Sequence, residues 1–360
     1  ASNQVSVLDI ATNTVVASVP VPGNPQMVAL NPAGTRAYVP SYDANIVYVI
    51  DTGTNAIIAT VPVGARPFGV AINPAGTRAY VTNNAAYTVS VIDTTANTVV
   101  ATIPVPAYPL QVAINPAGTR AYVVNGLLVN GVGDSISVID TASNAIIATI
   151  PAGIGPRGIA VNPAGTRIFV SSYIQSLNSY GLLVIDAATN SVLRKVRLSL
   201  VNPPSDVAIN PAGTRVYVTN PNGVTVTDAA TCNSVIATIP VLNGSRLAVS
   251  PAGNRAFVPI SFGNLVAELD TVNNTVLGSV EVGVPGSNPY GIAFSYGVVV
   301  PPVPTPIRIT GIEVTQGIQS AGETGGAAGL MGIGMASGMM GVGNMQQPAA
   351  PAAPAADDPI

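Results

Sequence analysis

One turn motif recurs through most of the chain and constrains its fold more than any other feature. Asn-Pro-Ala-Gly stands at 31, 73, 115, 162 and 210, and Ser-Pro-Ala-Gly at 250. A worn seventh copy is Ser295-Tyr296-Gly297. Successive copies lie 42, 42, 47, 48, 40 and 45 residues apart. A recurrence in this range marks a repeat architecture, in which each unit buries its apolar face only against its neighbours.

Each repeat carries a second anchor, an alternating run that ends in Asp. Val5-Ser6-Val7-Leu8-Asp9, Val47-Tyr48-Val49-Ile50-Asp51 and Val89-Ser90-Val91-Ile92-Asp93 are examples, and the series continues at Asp140, Asp186, Asp228 and Asp270. A turn rich in Thr, Ala and Asn follows, then a run such as Ala56-Ile57-Ile58-Ala59-Thr60-Val61. A fourth run, such as Pro67-Phe68-Gly69-Val70-Ala71-Ile72, leads back to the Asn-Pro-Ala-Gly turn. All four are short, β-branched and bounded by turn residues, which reads as strand. No stretch of 1–300 carries a helical period.

Four short antiparallel strands per repeat is the arithmetic of a β-propeller blade. Named from the axis outward, strand a precedes Asn-Pro-Ala-Gly, b is the Arg-Ala-Tyr-Val run, c ends in the Asp, and d follows. The expected fold is all-β: a seven-bladed β-propeller of four-stranded blades over 1–300, with an extended C-terminal tail. The chain opens on strands c and d, at 5–9 and 14–21. Residues 290–295 and 297–300 supply a and b. Pairing these complementary halves is expected to close the ring and remove an exposed edge.

Most charges belong to the repeat. Arg36, Arg78, Arg120, Arg167, Arg215 and Arg255 begin strand b, and the Asp anchors end strand c. In an antiparallel hairpin the start of b faces the end of c, so a structural brace of the type Arg78 to Asp93 is expected in each blade. In the turn itself, Pro presets φ, Gly supplies a position open to φ > 0, and Asn can bond its own backbone.

Tyr80-Val81-Thr82-Asn83 and Tyr217-Val218-Thr219-Asn220, set among Asn-Pro-Ala-Gly-Thr-Arg and Val-Ile-Asp-Thr, resemble the YVTN-family β-propeller repeat proteins. The resemblance covers residues 1 to about 300 and is specific for fold. It implies a propeller of the kind found on microbial cell surfaces, including surface-layer-like proteins. It implies little about activity, because function lives in sites grafted onto a fold.

Comparing the repeats separates scaffold from individuality. The a–b and c–d turns are nearly constant and share one face; the d–a and b–c loops vary and share the other. A ligand is expected on the variable face near the channel mouth. The residues just before each strand a are Gln26, Phe68, Leu110, Arg157, Asp206, Arg246 and Tyr290. Of these, Phe68, Arg157, Asp206, Arg246 and Tyr290 form the candidate ligand face, for a carbohydrate or a peptide. The competing reading is loop drift with a solvated charge triplet. The longest b–c insertions, 125–135 and 171–181, adjoin the same sector.

The residue inventory excludes much chemistry. There is no His, so no Ser/His/Asp triad and no His/Cys metal set. Asp43, Asp134, Asp206, Glu268 and Glu281 are scattered over different blades. The expectation is a non-enzyme without cofactor or metal, a lactonase-like hydrolase being the weakest alternative. Cys232 stands alone and is expected to be an inert small residue in a turn. A net charge of −3 leaves no basic footprint for nucleic acid. Charged residues are only 8% of the chain, against about 25% in a typical soluble domain. So bare a surface has weak protection against self-association. The sequons at Asn243 and Asn273 fall in expected turns and make glycosylation an expectation.

Beyond 300 the composition breaks. Residues 301–306 are a Pro-rich spacer. Residues 307–319 alternate like one strand, with Ile307, Ile309, Ile312, Val314 and Ile318. A lone strand needs a partner, and β-augmentation of a neighbouring copy is the natural one. Residues 320–360 are Gly, Met, Ala and Pro rich, with Met331, Met335 and Met339 as candidate adhesive side chains. Frequent Gly and the lack of flanking Lys or Arg argue against a membrane span there. A start directly before a strand suits a mature exported chain. Together these features point to an extracellular structural protein whose tail docks on other copies of itself. A cell-surface adhesin, with glycans as partners, is the alternative.

Overall fold

The computed structural model describes residues 3–126, 134–200, 202–232, 235–283, 288–294 and 311–316. The chain divides into a unit ending at Gln319 and a second, 320–360, which lies outside the described residues. The first unit is a β-propeller. The N-terminus supplies β1 (Gln4–Asp9) and β2 (Thr14–Pro20). Blade one is β3 (Ala29–Leu30), β4 (Arg36–Ser41), β5 (Ile46–Asp51) and β6 (Ala56–Pro62). Blade two is β7 (Pro67–Ile72), β8 (Arg78–Asn83), β9 (Thr88–Asp93) and β10 (Thr98–Pro104). Blade three is β11 (Pro109–Ile114), β12 (Arg120–Asn125), β13 (Ser135–Asp140) and β14 (Ala145–Pro151). Blade four is β15 (Ile159–Val161), β16 (Arg167–Ile174), β17 (Ser179–Asp186) and β18 (Val192–Leu200). Blade five is β19 (Asp206–Ile209), β20 (Arg215–Asn220), β21 (Gly223–Asp228) and β22 (Val235–Ile239). Blade six is β23 (Ala248–Val249), β24 (Arg255–Ile260), β25 (Leu265–Asp270) and β26 (Thr275–Glu281). The last strands are β27 (Asn288–Ala293) and β28 (Gly311–Gln316).

This corrects the expected seven like blades. Six blades are found, each made of four consecutive strands. The two ends are joined by a composite sheet, in the order β2-β1-β28-β27. Its second-innermost place was expected to hold 297–300, a segment outside the described residues. That place, between β27 and β1, is taken by β28, from beyond the Pro-rich spacer. The propeller therefore draws on the tail and does not end at 300. Sequence spacing misled because the Asn-Pro-Ala-Gly turn lapses there, while the alternation of 311–316 fits a two-sided sheet position equally well.

The cores lie between blades. Tyr38, Val47 and Val49 of blade one pack with Val70, Ala79, Val81 and Ile92 of blade two. The composite sheet is gripped on both sides: Val5, Val19 and Ala293 pack with blade one, and Leu8, Ile292 and Phe294 with Phe257 and Val266 of blade six. Tyr38, Tyr80, Tyr122 and Tyr217 are at most 1% exposed, and Phe169 and Phe257 fill the same place in their blades.

The repeated polar residues tie blade to blade. Asn73 Oδ1 accepts the backbone N–H of Thr77 and Arg78, at 2.8 and 2.9 Å, and so holds the a–b turn. Gly118 has φ +70, and a Cβ there would stand 3.2 Å from Cδ of Pro74 in the preceding blade. The same Gly–Pro approach joins Gly76 to Pro32, Gly165 to Pro116, Gly213 to Pro163 and Gly253 to Pro211. In the Tyr-Val-Thr-Asn run, Thr82 accepts the N–H of Gly69 and donates to the carbonyl of Leu110 in the next blade, both at 2.7 Å. Asn83 donates to Ser90 at 2.8 Å and latches its own hairpin.

The Arg brace takes a different form from the expected one. Register does place each Arg opposite its Asp, as in Arg78↔Asp93 and Arg120↔Asp140. Arg78 and Asp93 form an ion pair at 2.6 Å. Elsewhere the guanidinium crosses to the next blade's c–d turn: Arg36 to Thr94 O, Arg120 to Ala187 O, Arg167 to Ala230 O and Arg215 to Thr271 O, at 2.6–2.7 Å. Arg255 pairs with Glu268. The Asp anchors instead cap their own turns: Asp51 accepts from the N–H of Thr54 and its hydroxyl, at 2.8 and 2.9 Å. These bonds, the backbone one first, hold the Asp51 carboxyl below its ordinary pKa.

Two glycines provide a paired test. Gly118→Ala forces a Cβ into a left-handed position against Pro74 and is expected to cost about 1–2 kcal/mol. Gly278 lies on the outer strand of blade six, and a Cβ there would meet nothing within 4 Å. Ala17, Ala59, Ala101, Ala148 and Ala237 fill that place in other outer strands. Gly278→Ala is therefore expected to stabilise by about 0.5–1 kcal/mol. Denaturant midpoints of the two variants should move in opposite directions.

Candidate functional site

The innermost strands converge on the axis, and their first residues build its mouth. β7, β11, β15 and β19 follow one another around it, and β27 returns to β3. Close approach is needed here, and glycines permit it. A Cβ on Gly69 would meet the Leu110 carbonyl of the next blade at 2.3 Å, and one on Gly158 the Asp206 backbone at 2.6 Å.

Four of the five candidate ligand-face residues meet directly. Arg246 and Asp206 are 4% and 6% exposed, with Arg246 Nη1 at 3.7 Å from Asp206 Oδ1. Arg246 also donates to Ser205 O and to the Tyr290 hydroxyl, both at 2.7 Å. Its guanidinium lies over the rings of Tyr290, at 4.7 Å, and Phe68, at 5.6 Å. Those two rings meet edge to face at 5.8 Å. Blades two, five and six and the composite sheet thus meet across the axis. Arg246 Nε is buried without a partner.

Arg157, the fifth, is half-buried beside this group. Burial first, and the like charge of Arg246 after it, lower its pKa, with Tyr290 and Tyr180 acting the other way. Asp206 is committed: it accepts from Gln111 Nε2 at 2.8 Å and from the N–H of Leu247 at 3.0 Å. Burial raises its pKa, against the lowering effect of Arg246. One guanidinium, that of Arg246, is paired with the carboxylate, and a second, that of Arg157, lies beside it at an aromatic-walled mouth, an arrangement suited to an oxyanion.

Sequence comparison missed Gln111. It lies one residue past the position compared, where Leu110 stands, yet it bridges blades by accepting the N–H of Ile159 at 2.9 Å while donating to Asp206. It also missed an aromatic rim on the variable face. Arg66 stacks on Tyr42 at 5.4 Å, and Tyr87 meets Tyr108 and Tyr173 meets Tyr180 edge to face, at 4.8 and 5.3 Å. The signal available was Tyr recurring in loops, outside the buried Tyr of strand b. The 171–181 insertion extends the hairpin of β16 and β17 around a 3₁₀ turn at Gln175–Leu177. In the other insertion, 127–133 lies outside the described residues.

The remaining expected sites are dispersed. Asn243 is exposed and lines a lateral apolar groove of about 460 Å³ with Leu242, Phe262 and Gly278; Asn273 is exposed on a c–d turn. Ile312 and Val314 lie in β28, while Ile307, Ile309, Ile318, Met331, Met335 and Met339 lie outside the described residues. Cys232 is buried, and burial raises its thiol pKa. Among the scattered acids, Glu268 is tied to Arg255 and Asn13, and Asp134 accepts from Gly155 N–H at 2.9 Å. Among the described residues no three of Asp, Glu, His and Cys gather as a metal set. No described helix is long and apolar enough to cross a membrane.

A further feature belongs to the outer rim. Every outer strand carries a β-bulge at the same place, and the extra residue is large and apolar: Val16, Ile58, Val100, Ile147, Leu193, Ile236 and Leu277. These side chains are 40–53% exposed. Charge on these strands is confined to Arg194, Lys195 and Arg197 of β18 and Glu281 of β26. Sequence reading passed over the bulges because they are the same in each repeat.

No family profile matches the chain, and no curated protein sequence matches it. Solved structures do. Hydrazine synthase of Kuenenia stuttgartiensis aligns at 21% identity with TM-score 0.69, over 76% of this chain and 90% of that one. A functionally unknown protein from Desulfotomaculum acetoxidans aligns at 18% identity with TM-score 0.67, over 81% and 98%. At these identities the likeness shows the β-propeller fold.

The buried pair makes a pH prediction. A carboxyl whose folded pKa is raised gives stability that is present below its unfolded value, about 3.9, and is lost as pH rises through the folded value. Asp206→Asn removes this titration. Urea midpoints should show wild type losing stability relative to Asp206→Asn as pH rises from about 4. The opposite trend would mean that Arg246 outweighs burial.

Proposed function

We propose that the chain is a non-enzymatic structural subunit that associates with copies of itself, a cell-surface propeller of the YVTN-like kind. The observation that carries this reading is the outer rim. Seven equivalent strands each present an exposed apolar bulge residue on a surface with very little charge. Isolated exposed apolar residues are ordinary, but a repeated set around one circumference is a surface for side-on contact. The bulges twist these edges and oppose strand addition, so the rim serves side-chain packing and not sheet extension. The placement outside the cell rests on the resemblance of the repeat, together with the low charge and the exposed sequons at Asn243 and Asn273.

A second reading, ligand binding at the axial mouth, is favoured by Arg157 beside the aromatic rim. An acidic saccharide would satisfy both the guanidinium and the ring faces. Titration with galacturonate by calorimetry tests it: binding that is lost in Arg157→Ala, with the melting temperature little changed, is the expected result.

The assembly reading is tested on the full-length chain. Light scattering and negative-stain electron microscopy should show multimers at micromolar concentration. Ile58→Lys, Ile147→Lys and Leu277→Lys combined should disperse them. Substitutions at exposed sites ordinarily change stability by about 0.5 kcal/mol or less each, so folding should persist. A wild-type chain that stays monomeric across that concentration range overturns the reading.

A further inference from the structure

β28 is held differently from every other second-innermost strand. In blades one to six that strand follows its inner neighbour after one short turn, as β8 follows β7 across 73–77. Residues 294–310 separate β28 from β27, and its other neighbour, β1, stands at the opposite end of the described chain. No short hairpin ties β28 on either side. Two ladders hold it: Gln4↔Thr315 through Leu8↔Gly311 with β1, and Asn288↔Gln316 through Ala293↔Ile312 with β27.

The walls of this slot do not depend on β28 alone. On the β1 side, Val5 packs against blade one and Leu8 against blade six. On the β27 side, Ile292 packs with the blade-six cluster and Ala293 with the blade-one cluster. A slot walled in this way presents two unpaired edges whenever β28 is elsewhere, and an unpaired edge is a template for another strand. Backbone ladders and register read sequence alone, so the 311–316 segment of a second copy fits as well as the chain's own. The outer edges are poor competitors, since each carries a bulge.

We propose that copies are joined by strand exchange: residues 311–316 of one chain occupy the slot between β27 and β1 of the next. The occupant is a second copy of this chain, and the proposal rests on the assembly reading above. Donor strand and acceptor slot are different surfaces, so exchange that is not reciprocal is heterologous and, where its rotation does not close a ring, propagates as an open chain. A connection as long as 294–310 can span up to roughly 55 Å at about 3.3 Å per residue, enough to reach an adjacent subunit.

Register supplies the test, because Ser6 stands opposite Glu313. Two full-length variants, Ser6→Cys and Glu313→Cys, each also carrying Cys232→Ser, are mixed, assembled and mildly oxidised. A disulfide-linked adduct containing one chain of each variant is the expected result. As a second measurement that leaves the wild-type chain unaltered, excess synthetic peptide of residues 307–319 should cap the slot and shorten the assemblies at least several-fold. Multimers that form without the mixed adduct and ignore the peptide overturn strand exchange and leave the assembly reading standing. Chains that remain monomeric, with Ser6→Cys and Glu313→Cys combined in one chain linking only within it, overturn both.

Discussion

The structure depends on the contact between successive blades. A four-stranded blade of this kind has no core of its own: Tyr80, Val89 and Val91 of blade two are buried only because Val112, Ala121 and Val123 of blade three cover them. The polar part of the repeat serves the same contact. The Gly of one turn abuts the Pro of the turn before it, the Thr of Tyr-Val-Thr-Asn reaches the next inner strand, and the Arg reaches the next outer turn. Each blade therefore specifies the angle of its neighbour, and a ring is the form in which no blade lacks one. Six self-contained blades leave a place that only the two chain ends together can fill.

That dependence explains what could be read from the residues. Strand identity and blade boundaries were legible because turn chemistry and β-alternation are local. The facing of Arg120 and Asp140 was legible because antiparallel register follows from hairpin geometry. The destination of the Arg was not. A guanidinium on a long side chain reaches past its own hairpin, and a carbonyl on the next blade competes with an Asp whose Oδ1 already accepts from the Ser143 N–H and hydroxyl at 2.8 and 2.7 Å. The closing strand was illegible for a related reason. Its pairing is between positions about 300 residues apart, and spacing carries no information about it once the turn motif lapses.

The axial mouth was the most legible part of the candidate site. Where identical blades would place identical residues, Phe68, Arg157, Asp206, Arg246 and Tyr290 differ, and four of them proved to be in contact. Gln111 escaped because comparison by position assumes that equivalent residues do equivalent work. The outer rim escaped for the opposite reason: repetition reads as scaffold. A side chain such as Ile147, half exposed in a strand that needs no bulge to pair, is scaffold that also forms a surface.

In the proposed assembly, rim and slot divide the demands of association between them. Apolar side-on contact through bulged strands is weakly directional, since the hydrophobic effect scales with buried area and carries no register. A backbone ladder of five pairs on each side is strongly directional, but it requires two free edges at the correct spacing. The bulges keep that second kind of contact away from the outer strands, where it could occur at seven places. The composite sheet concentrates it at one. Seven unblunted edges would admit strand addition in every direction, whereas blunted edges and a single exchangeable strand leave one place for it. In that proposal, the departure of β28 from the repeat is the feature that gives the otherwise symmetric ring a polarity.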